Sequence, residues 1–195
     1  MSIYINTDNG VTFNGVSSVT TADVVASNGI VHIVDSVIGL PTVVTFAVAD
    51  PNFEILVQAL TRDDLTMDFV GLLNSSTSPP TPLTVFAPVN NAFVNLLDEL
   101  GLNGLNDIDE PTLSAVLTYH VVTGANQLSI NLSDGMEFTT AGGGALLFNF
   151  GDNGEGILTD NNGRTSNIVA VDVQANNGII HAIDKVVLPL SLIHI

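Results

Sequence analysis

The chain has 195 residues, 46% hydrophobic and only 12% charged, so it can bury a real core but must build much of its polar surface from Asn, Thr, Ser and Gly. Twenty acids stand against three bases (Arg62, Arg164 and Lys185), a net charge of −17 that argues against nucleic acid and anionic lipid as partners. The absence of cysteine excludes disulfides and thiol chemistry, and no run of about 18 apolar residues reads as a membrane span.

Met1–Gly10 has neither a basic nor an apolar run, so it does not read as a signal peptide. Either the protein is cytoplasmic or the true start lies upstream. The first strong feature is SNGIVHIVDSVIGLP, Ser27–Pro41. A near copy, NNGIIHAIDKVVLP, spans Asn176–Pro189. Asp23, Asn28, Gly29, Ile30, His32 and Asp35 map onto Asp172, Asn177, Gly178, Ile179, His181 and Asp184. The spacing is one domain length, far beyond a solenoid period. Residues 1–41 are therefore expected to close one domain and residues 42–189 to form a complete second one. Alone, the first segment is too short for its own core and should pack weakly, as a few strands, beside the full domain.

After Thr42-Val43-Val44, Asp50 is expected to cap a helix with Pro51 at its first position, and Phe53, Leu56, Val57 and Leu60 recur at helical spacing. Met67–Asn74 is a second short helical piece, and Ser75–Pro82 reads as an exposed loop. Leu83–Pro88 is an apolar strand. The helix after it should be capped by Asn90, bury Phe93, Leu96, Leu97 and Leu100, and stop at Gly101. Asp109 should cap another, burying Leu113, Val116 and Leu117 before a turn into strand Val121-Val122. Beyond Gly124 the pattern turns to strands: Met136–Phe150 is a glycine hairpin, and Asn-Gly turns punctuate the rest. Helices first and strands last indicate α+β.

Three ordered segments, TVFAPVNNAF (Thr84–Phe93), LTYHVV (Leu117–Val122) and NGIIHAIDKVVLP (Asn177–Pro189), resemble the signature segments of the fasciclin domain. The resemblance covers Thr42–Pro189 in full and Ile3–Pro41 as a C-terminal part. It implies a β-sandwich or wedge with short helices packed on one side. It marks Thr84, Phe86, Pro88, Asn90, Phe93, Asn177, Gly178, His181 and Asp184 as structural motif residues. Val89 departs from the Thr common in the family, which leaves Asn90 as the expected cap. Members are mostly secreted or surface-anchored, often in tandem, and act in adhesion. In animal relatives the region around Tyr-His is associated with integrin binding, so Tyr119, His120, Val121 and Val122 are a candidate adhesion patch. The competing reading packs Tyr119 under the helix and uses His120 to tie the helix end to the next strand.

His32 and His181 read as scaffold histidines, since buried ring nitrogens are usually paired. Gly151–Gly156 and Thr159–Gly163 concentrate oxygen ligands but miss the EF-hand spacing, so ordinary turns are expected and no metal or cofactor is assigned. Asn74-Ser75-Ser76 and Asn131-Leu132-Ser133 are sequons, meaningful only in a glycosylating host. Gly142–Gly144 lacks the helix a phosphate cradle needs. With no G-x-S-x-G, Walker or H-E-x-x-H motif, an enzyme is disfavoured. The expected function is a non-catalytic extracellular adhesion module of a bacterial-type tandem surface protein, the alternative a small-ligand or polysaccharide-binding module. Expected partners are other proteins, extracellular polysaccharide or neighbouring fasciclin-like domains in cis, without membrane insertion. Leu190–Ile195 falls outside the family pattern and is expected to be a non-native tail.

Overall fold

The computed structural model describes residues 1–75 and 82–190. Most of the expected loop before Leu83, the last residue of the first sequon and all but Leu190 of the expected tail lie outside the described residues.

Four strands come first: β1 (Ile5–Asn6), β2 (Thr12–Phe13), β3 (Ser17–Ala26) and β4 (Gly29–Val34), paired in that order as one antiparallel sheet. This sheet sits beside the rest of the chain. Ser2 N–H donates to the Gln174 carbonyl, Asn176 N–H donates to the Pro41 carbonyl, and Tyr4 leans on the larger core.

Among the described residues five α-helices follow: α1 (Val43–Ala49), α2 (Glu54–Leu60), α3 (Phe69–Asn74), α4 (Asn90–Leu100) and α5 (Glu110–Tyr119). The sequence reading gave no helix at α1, whose Val-Val-Thr-Phe opening favours a strand. A Thr42–Thr45 capping box holds it helical, and Val43, Phe46 and Ala47 go into the core. Asp50 caps as expected, at a single 3₁₀ turn (Pro51–Phe53) that leads into α2. Asp68 caps α3 and Asp109 caps α5, and Gly101 ends α4 with φ 67°.

Asn90 is not the cap of α4. Val89 occupies that position without a side-chain bond. Asn90 reaches across instead: Oδ1 accepts from Ile55 N–H at 2.9 Å and Nδ2 donates to the Pro51 carbonyl at 2.8 Å. A residue one position inside its own helix cannot reach back to cap it, but it can satisfy an orphan donor at the start of α2.

The remaining strands are β5 (Leu83–Pro88), β6 (Val121–Thr123), β7 (Met136–Thr139), β8 (Ala145–Phe150), β9 (Gly156–Thr159), β10 (Thr165–Gln174) and β11 (Gly178–Ile183). They form one sheet in the order β6-β5-β11-β10-β9-β8-β7, antiparallel except for β5 on β11. Its two outer strands nearly meet, because Val122 bridges to Thr140 and Ala141 N–H donates to the Val121 carbonyl. The sheet therefore wraps almost into a barrel, and each strand face has its own core. Leu83, Val85, Ala87, Ile180 and Ala182 face the helices. Phe86, Val122, Phe138, Leu146, Phe148, Leu158 and Ile183 fill the inside of the wrap. Burying each such large side chain is worth about 1.5–3 kcal/mol. The fold is α+β, with strands dominant and short helices on one face.

Candidate functional site

The candidate patch begins where α5 ends. Asp109 and Pro111 start this helix, and Leu113, Val116, Leu117 and Tyr119 bury its inner face. His120 follows in helical geometry, after which β6 pairs with β5. All four candidates, Tyr119, His120, Val121 and Val122, are buried, with Tyr119 at 0% exposure. As placed, none of them presents a side chain to a partner.

Each polar atom in the pair serves the scaffold. His120 Nδ1 lies 2.7 Å from the Val116 carbonyl, and Val187 N–H donates to Nε2 at 3.2 Å. The proton therefore sits on Nδ1, and the ring ties α5 to the chain after β11. Tyr119 Oη donates to the Ala145 carbonyl and accepts from Asn161 N–H. Gly144 explains part of the glycine run. A Cβ there would meet Tyr119 Cε2 at 2.5 Å, so the β7–β8 turn needs glycine to lie on the tyrosine ring.

Burial pushes His120 down to about 4 from the ordinary 6.5, opposed by the Val116 carbonyl and Asp160. His181 is also lowered by burial. Between the two His120 values the unfolded chain holds a proton that the folded chain does not. Stability therefore rises with pH across that window. It is complete above about 6.5 and is lost as pH falls toward 4. The expected loss between pH 7 and pH 4.5 is about 2 kcal/mol from His120. Urea titrations at both pH values check it, and the drop should shrink by about that amount in a His120→Gln variant, which keeps the contribution of His181.

The second histidine is equally enclosed. His181 has no exposed surface, stacks on Phe86 with centroids 5.8 Å apart, and places Nε2 2.8 Å from the Gln127 carbonyl. Asp172 lies near enough to act on its charge. It accepts from Ser129 Oγ at 2.5 Å and from Ser129 N–H at 2.8 Å. Ser, Asp and His thus come together, but the imidazole does not bridge the other two. In a hydrolytic triad it must. Here the aspartate takes the serine proton-side bond directly, and the ring is sealed against a backbone carbonyl. The repeat had flagged Asp172 in the sequence; nothing flagged Ser129 or Gln127.

The other motif residues are structural joints. Thr84 Oγ1 donates to the Ala125 carbonyl and accepts from Gln127 N–H. Asp184 accepts from Asn167 N–H at 2.7 Å and from the Asn167 side chain, closing the β10–β11 hairpin. Phe86, Pro88 and Phe93 lie in β5 and α4, the first and last fully in the cores. Asp160 is buried and accepts from Asn162, Arg164 and Leu188 N–H groups, so the Thr159–Gly163 loop spends its carboxylate on a turn. Among the described residues no three His, Asp or Glu side chains converge as a metal site.

Strands β3 and β4 repeat this closing hairpin in register. Pairs Val19–Val34, Thr21–Ile33, Val24–Val31 and Val25–Ile30 reproduce Ile168–Ile183, Ala170–Ala182, Val173–Ile180 and Gln174–Ile179. Asp23 and Asp172 share the same left-handed bulge, φ 58° and 61°. Ser17 Oγ donates to the Ser36 carbonyl as Ser166 Oγ does to the Lys185 carbonyl. His32, however, is half exposed where His181 is sealed.

Fold and site together define a nearly closed sheet with capping helices whose histidines hold the scaffold. The fasciclin domain family model matches residues 1–41 and 51–189, and the chain belongs to that family. An uncharacterized Synechocystis protein, sll1735, is 35% identical over 153 residues, 76% of this chain and 98% of its own. Human periostin is 28% identical across 91% of this chain, which spans only 20% of periostin. A solved FAS1 domain pair from the insect cell adhesion molecule fasciclin I overlays with a TM-score of 0.62 at 22% identity, covering 95% of this chain and 66% of that one.

Proposed function

We propose that the chain is a non-catalytic extracellular adhesion module, made of one complete fasciclin domain (42–189) and the closing part of a preceding one (1–41), from a tandem surface protein. The observation that carries this reading is the duplicated hairpin. Its register, bulge and closing bonds recur in the two segments that match the family model. Family membership and the fold shared with an insect cell adhesion molecule support the adhesive role. Because Tyr119, His120, Val121 and Val122 are buried, partners would meet the loops and strand edges, and other proteins or neighbouring domains in cis are the partners of choice.

The second reading is a small-ligand or polysaccharide-binding module. An apolar cavity of about 60 Å³ lies between α4 and α5, lined by Phe93, Leu96, Leu113, Val116 and Leu188. That is smaller than the roughly 150 Å³ that admits a benzene ring. It suits the tip of an alkyl chain, not a sugar.

An antibody against the chain is expected to label intact cells of the source organism. Beads coated with the chain should be retained on those cells and released by the soluble chain. Labelling only after permeabilisation, or retention equal to that of an acidic control protein, would refute the adhesive reading.

A further inference from the structure

We infer that the cavity between α4 and α5 is a side-chain socket through which the module holds its partner. It takes a leucine or isoleucine side chain flanked by lysine or arginine, presented by another protein. The inference deepens the adhesive reading and rests on it.

The buried wall of the cavity is Phe93, Leu96, Ile108, Leu113, Val116 and Leu188. The lining residues that keep exposed surface are Leu100, Leu102, Asp107, Asp109 and Thr112. All five belong to the end of α4, the start of α5 or the turn between them, so the cavity opens there. That turn is fixed without help from a partner. Arg62 Nη1 donates to the Leu105 and Ile108 carbonyls, both at 2.7 Å, and Asp107 accepts from Asn103 N–H at 2.8 Å. Asp109 is held by the N–H and Oγ1 of Thr112 as the cap of α5. A mouth braced in this way loses little freedom when a side chain enters it.

Volume and charge select the occupant. The cavity's 60 Å³ has room for the branched end of leucine or isoleucine. It falls well short of the roughly 150 Å³ that admits a benzene ring, so aromatic side chains do not fit. An acyl chain would leave most of its length in water. At the rim, the exposed carboxylates of Asp107 and Asp109 keep lone pairs beyond the bonds already named. The nearby cations are spent: Asp64 holds Arg62 through Nε and Nη2, and Glu99 at the end of α4 holds Arg164. The rim is therefore negative, on a chain of net charge −17. That favours a basic partner and disfavours a second copy of the chain. One aliphatic side chain with exposed ion pairs makes a weak site, and adhesion gains strength from many such sites on one surface.

The test titrates the full chain, methyl-labelled at leucine and valine, with the synthetic peptide acetyl-Gly-Lys-Leu-Lys-Gly-amide at low salt. The methyl signals of Leu96, Leu113, Val116 and Leu188 are expected to shift together and to saturate at millimolar peptide. Alanine or phenylalanine in place of the peptide's leucine should weaken binding by about tenfold or more. Glutamate in place of its lysines should weaken it about tenfold. Val116→Leu fills the socket from within and should abolish binding while keeping or raising the thermal midpoint. Asp107→Asn with Asp109→Asn keeps the α5 cap, because asparagine caps as well as aspartate, and should weaken binding about fivefold. Beads coated with the Val116→Leu chain should be retained on cells less well than beads coated with the unaltered chain. The inference is overturned by shifts absent at millimolar peptide or centred elsewhere, or by phenylalanine or glutamate peptides that bind equally well. Binding unchanged in Val116→Leu or in the aspartate variant overturns it too. Bead retention unchanged by Val116→Leu overturns the socket and leaves the adhesive reading standing. If beads of neither kind are retained, the adhesive reading fails and the socket's role fails with it.

Discussion

Asn177→Ala is expected to lower the free energy of unfolding by about 5 kcal/mol, the largest loss from any single side-chain truncation proposed for this chain. Asn177 is buried, and its amide serves three backbone groups at once. Oδ1 accepts from Val43 N–H at 3.0 Å; Nδ2 donates to the Leu73 carbonyl at 2.6 Å and the Ser75 carbonyl at 2.9 Å. Val43 N–H is an orphan donor in the first turn of α1, and the Leu73 carbonyl is an orphan acceptor in the last turn of α3. One side chain thus completes two helix ends and locks them to the start of β11. Alanine leaves Val43 N–H and the Leu73 carbonyl buried without partners, each costing about 1–3 kcal/mol, and also frees the part-buried Ser75 carbonyl. Asn28 occupies the matching place in the first hairpin with its side chain exposed, so Asn28→Ala should change stability by less than about 0.5 kcal/mol. The chain has no tryptophan, so urea unfolding is read by far-ultraviolet circular dichroism. Equal effects at the two asparagines would show that the clamp does not hold the domain.

The contrast between Asn28 and Asn177 shows what the sequence could reveal. Similar strings imply similar local structure, and the hairpins match down to the aspartate bulge. Burial depends on what arrives from elsewhere. Residues 42–75 and β5 pack on the second copy and not on the first, and no local pattern announces that. The same limit applies to Asn90. Its position at a helix start was legible; its partner in α2 required knowing that α2 and α4 lie side by side. Caps formed by nearby residues, such as Asp50, Asp68 and Asp109, had local signals, and the Asp50 and Asp109 caps were read directly from sequence. Helix α1 escaped because two β-branched valines outweighed a capping box that uses threonine where glutamate is usual.

The site was less legible than the fold. Tyr119 and His120 attract attention as a polar pair next to apolar residues. Only the near-closure of the sheet buries them, by bringing the Thr140–Gly144 turn over Tyr119 and the segment after β11 onto His120. The parallel pairing of β5 with β11 joins residues nearly a hundred positions apart, and sequence periodicity does not report such pairings.

That pairing is sterically tight at its first residue, and Gly178→Ala is expected to cost about 4 kcal/mol there. The backbone conformation of Gly178 is one that alanine adopts freely, so the penalty is purely spatial. An added Cβ would lie inside contact distance of the Leu83 carbonyl oxygen, 2.9 Å from Leu83 Cβ and 3.0 Å from its carbonyl carbon. These atoms belong to the backbone or are fixed to it, so no rotamer change relieves the clash. Neither strand has room to retreat. β10 holds β11 from the other side, β6 holds β5, and Leu83 has no exposed surface. The strands must therefore separate at their first pair, weakening the Leu83 N–H to Asn177 bond and the Asn177 clamp next to it. Ordinary overpacking costs about 1–3 kcal/mol, and a rigid backbone on both sides puts this case above that range. Gly29→Ala supplies the matched control, because nothing lies within 4 Å of the corresponding Cβ, and its effect should stay within about 0.5 kcal/mol. Because Asn177 and Gly178 act on the same joint, the double variant should lose less than the sum of the single losses. Strict additivity would mean that the clamp and the strand contact are independent, and the account of β11 as a single locked joint would fail.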